Sequence, residues 1–290
     1  MSAPIQNLLD LLLQAETRLT LAGVDCPLLS AELLMAHTLG VDRLWILTHP
    51  QYRVEPKEAS RFTSLVHART LGKPIAYLLG KKEFWGLSLS ITPDVLIPRP
   101  ETELLVETAK TLLPTDRNIL FADVGTGSGA IGLAMAHEFP LGKGFLTDVS
   151  LAALHVARKN IGDHGKDAQL QCICCDLLSV FLIQNLDMIL SNPPYISSAA
   201  YWALDREVRH FEPAKALWSG LDGIEFHLRL ILESKHVLRS GGWLCMEMGS
   251  DQAKMLHKYV QYHRGENGWS KPIVVKDLAG LDRILAMQKV

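Results

Sequence analysis

The sequence predicts an α/β fold: a mostly parallel sheet covered by helices on both faces, with a small helical bundle ahead of it. Three observations carry this expectation. From residue 118 onward, apolar runs of strand length alternate with helical patterns, as parallel strands joined by helical crossovers require. Residues 1–73 contain no convincing strand. The last two candidate strands, 272–276 and 282–287, are joined only by "DLAGL", too short for a parallel crossover, so they should pair antiparallel.

Taken in order, Leu8, Leu11, Leu12, Ala15 and Leu19 recur at helical spacing. A second helix starts at Pro27, a residue tolerated in a first turn, and ends at Gly40; another runs from Pro56 to Gly72. Residues 1–74 therefore read as a helical domain. Residues 75–97 alternate short apolar runs with Gly and Pro, the pattern of a hairpin or extended linker. Residues 98–290 form the third segment, opened by a helix in "RPETELLVETAKTLL" with Pro100 and acidic residues at its start. Candidate strands follow at 119–124, 143–147, 169–174, 186–191 and 242–247, then the final pair, with helices notably at 128–138, 150–161 and 222–239.

The 290 residues are 48% apolar and 21% charged, enough for a sizeable core and unlike a disordered chain. A net charge of −2 weighs against a protein that holds nucleic acid by neutralising phosphates. The start "MSAPIQNLLDLLLQAETRL" lacks a signal peptide's basic region and a transit peptide's arginines, and no apolar run has the length of a membrane span. A soluble cytoplasmic protein, acting as a monomer, is expected. Of the five cysteines, Cys172, Cys174 and Cys175 cluster in "CICC". That run looks like a strand and lacks a second pair at zinc spacing, so buried reduced thiols and no metal are expected there.

Two stretches carry chemistry. "FADVGTGSGAIG" leaves the first strand and opens a helix; Gly125, Gly127 and Gly129 allow a tight turn that a ligand can approach closely, with Thr126 and Ser128 between them. Asp148 ends the next strand, where a carboxylate can accept both ribose hydroxyls. Gly125-x-Gly127-x-x-Ala130 also satisfies a relaxed dinucleotide fingerprint, so a nicotinamide enzyme stays open at this point. Asp123 inside the strand end, and Asp176 ending the third strand where an adenine would sit, lean toward S-adenosylmethionine. Ligands of such sheets lie outside the carboxyl ends of the strands, and Asp123, Asp148, Asp176 and Asn192 all fall there.

The second stretch is "SNPPYI", which follows a strand yet suits neither ladder nor helix. Pro193 has no N–H and can offer its carbonyl oxygen; the Asn192 side-chain oxygen is a second acceptor. Two rigid acceptors suit a planar amino group, one hydrogen to each, and Pro194 and Tyr195 complete the motif with stiffness and an aromatic face. An amide nitrogen is a weak nucleophile, so fixed acceptors that favour positive charge on it are useful. A sulfonium donor is already activated, and positioning and electrostatics then suffice without a strong base.

These residues resemble the HemK/PrmC family, protein-(glutamine) methyltransferases of peptide-chain release factors. The likeness lies in "LIPRPETELLVE" (96–107), "DVGTGSGAIGLAMA" (123–136), "SNPPYI" (191–196) and "EVRHFEPAKAL" (207–217). It extends to "AGVDCPLLSAELLMAHTLG" (22–40), "KPIAYLLGKKEFWGL" (73–87) and "DLAGLDRILAMQ" (277–288), from about residue 5 to the end. The resemblance implies a class I S-adenosylmethionine-dependent methyltransferase: a Rossmann-like seven-stranded sheet with the last strand antiparallel, and an N-terminal helical domain that helps hold the release factor. It implies transfer from S-adenosyl-L-methionine, leaving S-adenosyl-L-homocysteine, to the side-chain nitrogen of the glutamine in the factor's Gly-Gly-Gln tip. By position, Gly125 to Gly129, Asp148, Asp176, Leu177 and Asn192 would bind the cofactor. Asn192, Pro193, Pro194 and Tyr195 would hold the glutamine, and the block 98–103 (PRPETE), with Arg99 and Glu101, would line the site mouth. Leu177 departs from relatives with an aromatic residue there, which implies weaker stacking on the purine.

A ribosomal-protein glutamine methyltransferase would use the same catalytic motif, and an adenine amino-methyltransferase a similar one. The latter needs a recognition domain or basic face, which a −2 chain with a compact N-terminal bundle does not offer. A haem-pathway oxidoreductase lacks a flavin or haem motif, and a nicotinamide enzyme leaves Asn192 to Tyr195 unexplained. A cofactor-binding module without catalysis would not need two preorganised acceptors.

Overall fold

The computed structural model describes residues 6–182, 184–262 and 268–290; residues 1–5 of the expected N-terminal domain lie outside them. The chain divides into two compact units, Met1–Lys81 with Asp205–Phe211, and Lys82–Leu204 with Glu212–Val290.

The first unit is helical: α1 (Leu8–Leu21), α2 (Pro27–Leu39), α3 (Arg43–Thr48), α4 (Pro56–Thr70) and α5 (Ile75–Leu79). Leu8, Leu11, Leu12, Ala15 and Leu19 of α1 are buried against Leu34 and Met35 of α2 and Phe62 and Val66 of α4. Their helical spacing thus marks a core face. Asn7 caps α1 by accepting the Leu9 N–H at 3.0 Å, and Gly40 ends α2 in the left-handed region at φ +69°. Leu78 of α5 joins the same core, so the first part of the expected linker packs with the bundle. Among the described residues, a ribbon of two-residue strands, β1 (Gln6–Asn7) and β2 (Arg53–Val54), departs from an all-helical reading. Buried Arg69 of α4 pairs at 2.7 Å with Glu207 of α10 (Arg206–Phe211), which ties that later segment to the bundle.

The second unit begins one residue into a hairpin, β3 (Lys81–Phe84) and β4 (Leu87–Ser90), and continues with α6 (Glu103–Leu112). Its seven-stranded sheet comprises β5 (Leu120–Val124), β6 (Lys143–Asp148), β7 (Leu170–Cys174), β8 (Leu186–Ser191), β9 (Leu238–Glu247), β10 (Ile273–Lys276) and β11 (Asp282–Gln288). The order is β10-β11-β9-β8-β5-β6-β7, parallel throughout except that β11 runs antiparallel to both neighbours. Leu186, Met188, Ile189 and Leu190 of β8 are wholly buried, as a central strand covered on both faces demands. The connecting helices include α7 (Ala130–Glu138), α8 (Leu151–Asp163), α9 (Ser198–Ala203), α11 (Glu225–Glu233) and α12 (Ala253–Tyr262). The helix expected over 222–239 stops early, because Leu238 already starts β9, ten residues long rather than six.

The cysteine expectation fails in part. Only Cys245 is buried; Cys26 and Cys174 are exposed and Cys172 and Cys175 half-buried. Cys172 and Cys174 lie on the edge strand β7, whose flank no further strand among the described residues covers, and Cys175 follows it. No helix among the described residues is long and apolar enough to cross a membrane.

Candidate active site

The chain runs from β5 through β6 to β7 on one side, then returns to place β8 and β9 on the other. The crevice outside the carboxyl ends of β5 and β8 is therefore the switch point of the sheet. Val124 and Ser191 are register partners, so Gly125 and Asn192 leave adjacent strands side by side. The Ser191 hydroxyl locks the two ends by donating to the Val124 carbonyl at 2.7 Å.

The glycine loop is held from beneath. Gly125, Gly127 and Gly129 have φ of +71°, +55° and +84°, where a side chain would be strained. The N–H groups of Gly125 and Thr126 both donate to the Thr147 carbonyl, at 2.8 and 2.9 Å. Asp123 is wholly buried under the turn; its Oδ2 accepts the Thr126 hydroxyl at 2.5 Å and the Gly132 N–H at 2.9 Å. Burial pushes its carboxyl up to about 7, against those two hydrogen bonds. Asn160 of α8 holds the loop's far side, donating to the Ser128 carbonyl at 2.8 Å. A Cβ placed on Gly125 or Gly127 would meet nothing within 4 Å, so the open face of the loop can take a ligand against bare backbone.

Asp148 ends β6 beside this loop, its Oδ2 accepting the Gly127 N–H at 3.0 Å and its Oδ1 the Ser150 N–H at 2.8 Å. Burial raises its carboxyl despite these bonds. Asp176 is exposed and forms a two-pronged pair with Arg229 of α11, at 3.1 and 2.9 Å. Leu177 sits at φ +46° and packs partly buried on the sheet core.

The segment after β8 is clamped at both ends. Asn192 Nδ2 donates to the Thr102 hydroxyl at 3.0 Å, and that hydroxyl donates to Glu247 Oε2 at 2.7 Å. The Tyr195 hydroxyl donates to Glu247 Oε1 at 3.2 Å, and Gln252 Nε2 donates to the Tyr195 carbonyl at 2.9 Å. Burial, with the Glu247 charge, raises the Tyr195 phenol well above its usual range, so it remains a donor. Burial also raises the Glu247 carboxyl, opposed by its bonds from Thr102 and Tyr195. Beneath, buried His227 donates from Nε2 to the Glu247 carbonyl at 2.8 Å and is kept neutral, its pKa lowered to about 4 by burial.

Arg99 pairs at 2.5 Å with Glu212, whose side chain is buried and also accepts the Ile97 N–H. Glu101 is exposed, near enough for its charge to raise the Glu247 carboxyl further. Glu247, Gln252 and Asn160 escape the sequence reading, and Thr102 enters it only as part of the block 98–103. For Glu247 a signal exists: it is a carboxylate closing the apolar run "GWLCME", as Asp148 closes β6.

Two family models match the chain: the PrmC N-terminal domain over residues 10–80 and the methyltransferase small domain over residues 100–210. A release factor glutamine methyltransferase of Nitratidesulfovibrio vulgaris is 41% identical over 281 residues, covering 96% of this chain and 94% of that protein. Another, of Koribacter versatilis, is 36% identical and covers 92% of this chain and 93% of its own. Among solved structures, a methyltransferase from Pyrococcus furiosus shares the fold, with a TM-score of 0.52 at 21% identity over 79% of this chain and 98% of that one.

Proposed function

The chain belongs to the release factor glutamine methyltransferases and has the seven-stranded fold of S-adenosylmethionine-dependent methyltransferases; on that premise we propose its reaction and its site. It transfers a methyl group to the side-chain amide nitrogen of the glutamine in the Gly-Gly-Gln motif of peptide-chain release factors. It acts in the cytoplasm, as a monomer, without direct contact to nucleic acid. The observation that carries the reading is the adjacency of Gly125 and Asn192 at the switch point, which brings a bare-backbone cradle beside two rigid acceptors.

Gly125 to Gly129 cradle the cofactor, and Asp148 accepts its ribose hydroxyls, with Asp176 and Leu177 toward the base. The cofactor would supply an activated methyl on a sulfonium and leave as neutral S-adenosyl-L-homocysteine. The strongly acidic N-methylated amide would then lose one nitrogen proton to water. The Asn192 side-chain oxygen and the Pro193 carbonyl each accept one N–H of the substrate amide, which favours the charge that develops on nitrogen and aims its lone pair. The Tyr195 ring packs on the amide plane, Pro194 stiffens the turn, and Arg99 and Glu101 stand at the mouth. No group in this set is required as a strong base, in keeping with a Tyr195 phenol that stays protonated and a His227 that hydrogen-bonds backbone.

Purified protein with methyl-labelled S-adenosylmethionine is expected to label a release factor and to spare one whose tip glutamine is replaced. Asn192→Ala is expected to abolish transfer while cofactor binding, read by calorimetry, persists. Label on a ribosomal protein and on no release factor would move the substrate; label on DNA alone would refute the reaction class.

A further inference from the structure

An asparagine amide has two ends of nearly equal size, and only the oxygen accepts a hydrogen bond. Turned half a revolution, Asn192 would face a substrate –NH2 with its own –NH2, and the acceptor pair would be lost. Something must choose the orientation, and the Glu247 carboxylate does so through Thr102. Both Glu247 oxygens receive hydroxyl protons, one from Thr102 at 2.7 Å and one from Tyr195 at 3.2 Å, so the group is acceptor-only. The single Thr102 proton is thereby committed to Glu247, and its oxygen has only lone pairs left for Asn192. Only the Nδ2 end fits there, at 3.0 Å, which turns Oδ1 outward.

We propose that Glu247, acting through Thr102, is the positioning residue that sets the acceptor end of the Asn192 amide and orients Tyr195 with its other oxygen. This deepens the reaction proposed above and rests on it. The cost of the device supports it. Glu247 is 1% exposed, and the described residues form no ion pair with it; Arg283 pairs instead with Asp277 at 2.8 Å. An unpaired buried carboxylate is expensive, and an apolar residue would serve packing better. The contacts also span three segments of chain: Thr102 before α6, Asn192 to Tyr195 after β8, and Glu247 closing β9.

Reversing the chain of hydrogen bonds tests the proposal. In Asn192→Asp, two carboxylates compete for the one Thr102 proton, and transfer at saturating methyl donor is expected to fall about a hundredfold. Adding Glu247→Gln supplies an –NH2 that donates to Thr102, whose proton then goes to residue 192 and leaves an acceptor facing out. The double variant is expected to recover about tenfold in kcat over Asn192→Asp alone. Thr102→Val, which keeps shape but not hydroxyl, is expected to lose about tenfold or more in kcat, whereas Thr102→Ser retains most activity. Thermal unfolding confirms that each variant is folded, and the threonine pair carries the test if the acidic variant is not. A double variant no faster than Asn192→Asp, or a Thr102→Val enzyme at the parental rate, overturns the inference while a parental chain that labels release factor leaves the reaction standing. A parental chain that labels none removes both.

Discussion

Replacing Asp123 by Asn should change how stability depends on pH, and the structure gives the size of the effect. Asp123 is wholly buried; its Oδ2 serves Thr126 and Gly132, and among the described residues its Oδ1 has no hydrogen-bond partner. Burial lifts its carboxyl from 3.8 to about 7. The folded state thus holds the proton more tightly than the unfolded chain. The stability this contributes is fully present below the unfolded value and is lost as pH rises through about 7. A gap of roughly three pH units corresponds to about 4 kcal/mol, since each unit is worth about 1.4 kcal/mol. Asparagine keeps the acceptor for Thr126 and Gly132 but never ionises. Urea unfolding of both proteins, at intervals from about pH 4.5 to pH 8.5, should show the variant gaining on its parent by several kcal/mol across that window. Asp148 is present in both proteins, so its own raised carboxyl largely cancels in the difference. Parallel stability curves, offset by a constant, would refute the reasoning, because they would mean that Asp123 carries the same charge folded and unfolded.

Two further outcomes follow from the packing. In Gly144→Ala the new Cβ would overlap the fully buried Phe121 ring and stand 2.9 Å from Leu170 Cδ2, so a loss of about 1 to 3 kcal/mol and a drop of several degrees in Tm are expected by calorimetry. In Arg99→Ala the Glu212 carboxylate is left buried beside the Ile97 N–H alone, with a loss of about 2 to 3 kcal/mol, moderated because Arg99 is one-third exposed. Adding Glu212→Gln should return part of that loss in urea unfolding; if it does not, the pair is not what anchors the segment.

The features legible in the sequence are those with a local physical cause. A glycine at φ +71° or +84° is demanded by the backbone at that point, so "VGTGSG" is visible without the fold. Strand β8 reads directly because a strand buried on both faces must be apolar without interruption, and Asn192 to Tyr195 stand out because two prolines there suit no ladder. The antiparallel last strand follows from the shortness of "DLAGL", in which Asp277 accepts the Ala279 and Leu281 N–H groups, each at 2.9 Å. The exposure of Cys174 was not legible, because an edge strand and a central one can have the same composition; only the strand order distinguishes them.

The same boundary divides the site. Sequence alone determined the glycine-rich loop, the Asn192-to-Tyr195 motif and their place at strand ends, since periodicity and backbone restriction act over a few residues. Tertiary structure alone decided what holds them: Thr102 to Glu247 across 145 residues, Asn192 to Thr102 across 90, and Asp176 to Arg229 across 53. A hydrogen bond between side chains so far apart leaves no trace in local pattern, because either partner would be an ordinary Thr, Glu or Arg without the other. The fold brings each pair within hydrogen-bonding distance, and on the proposal above that proximity is what would choose the accepting end of Asn192.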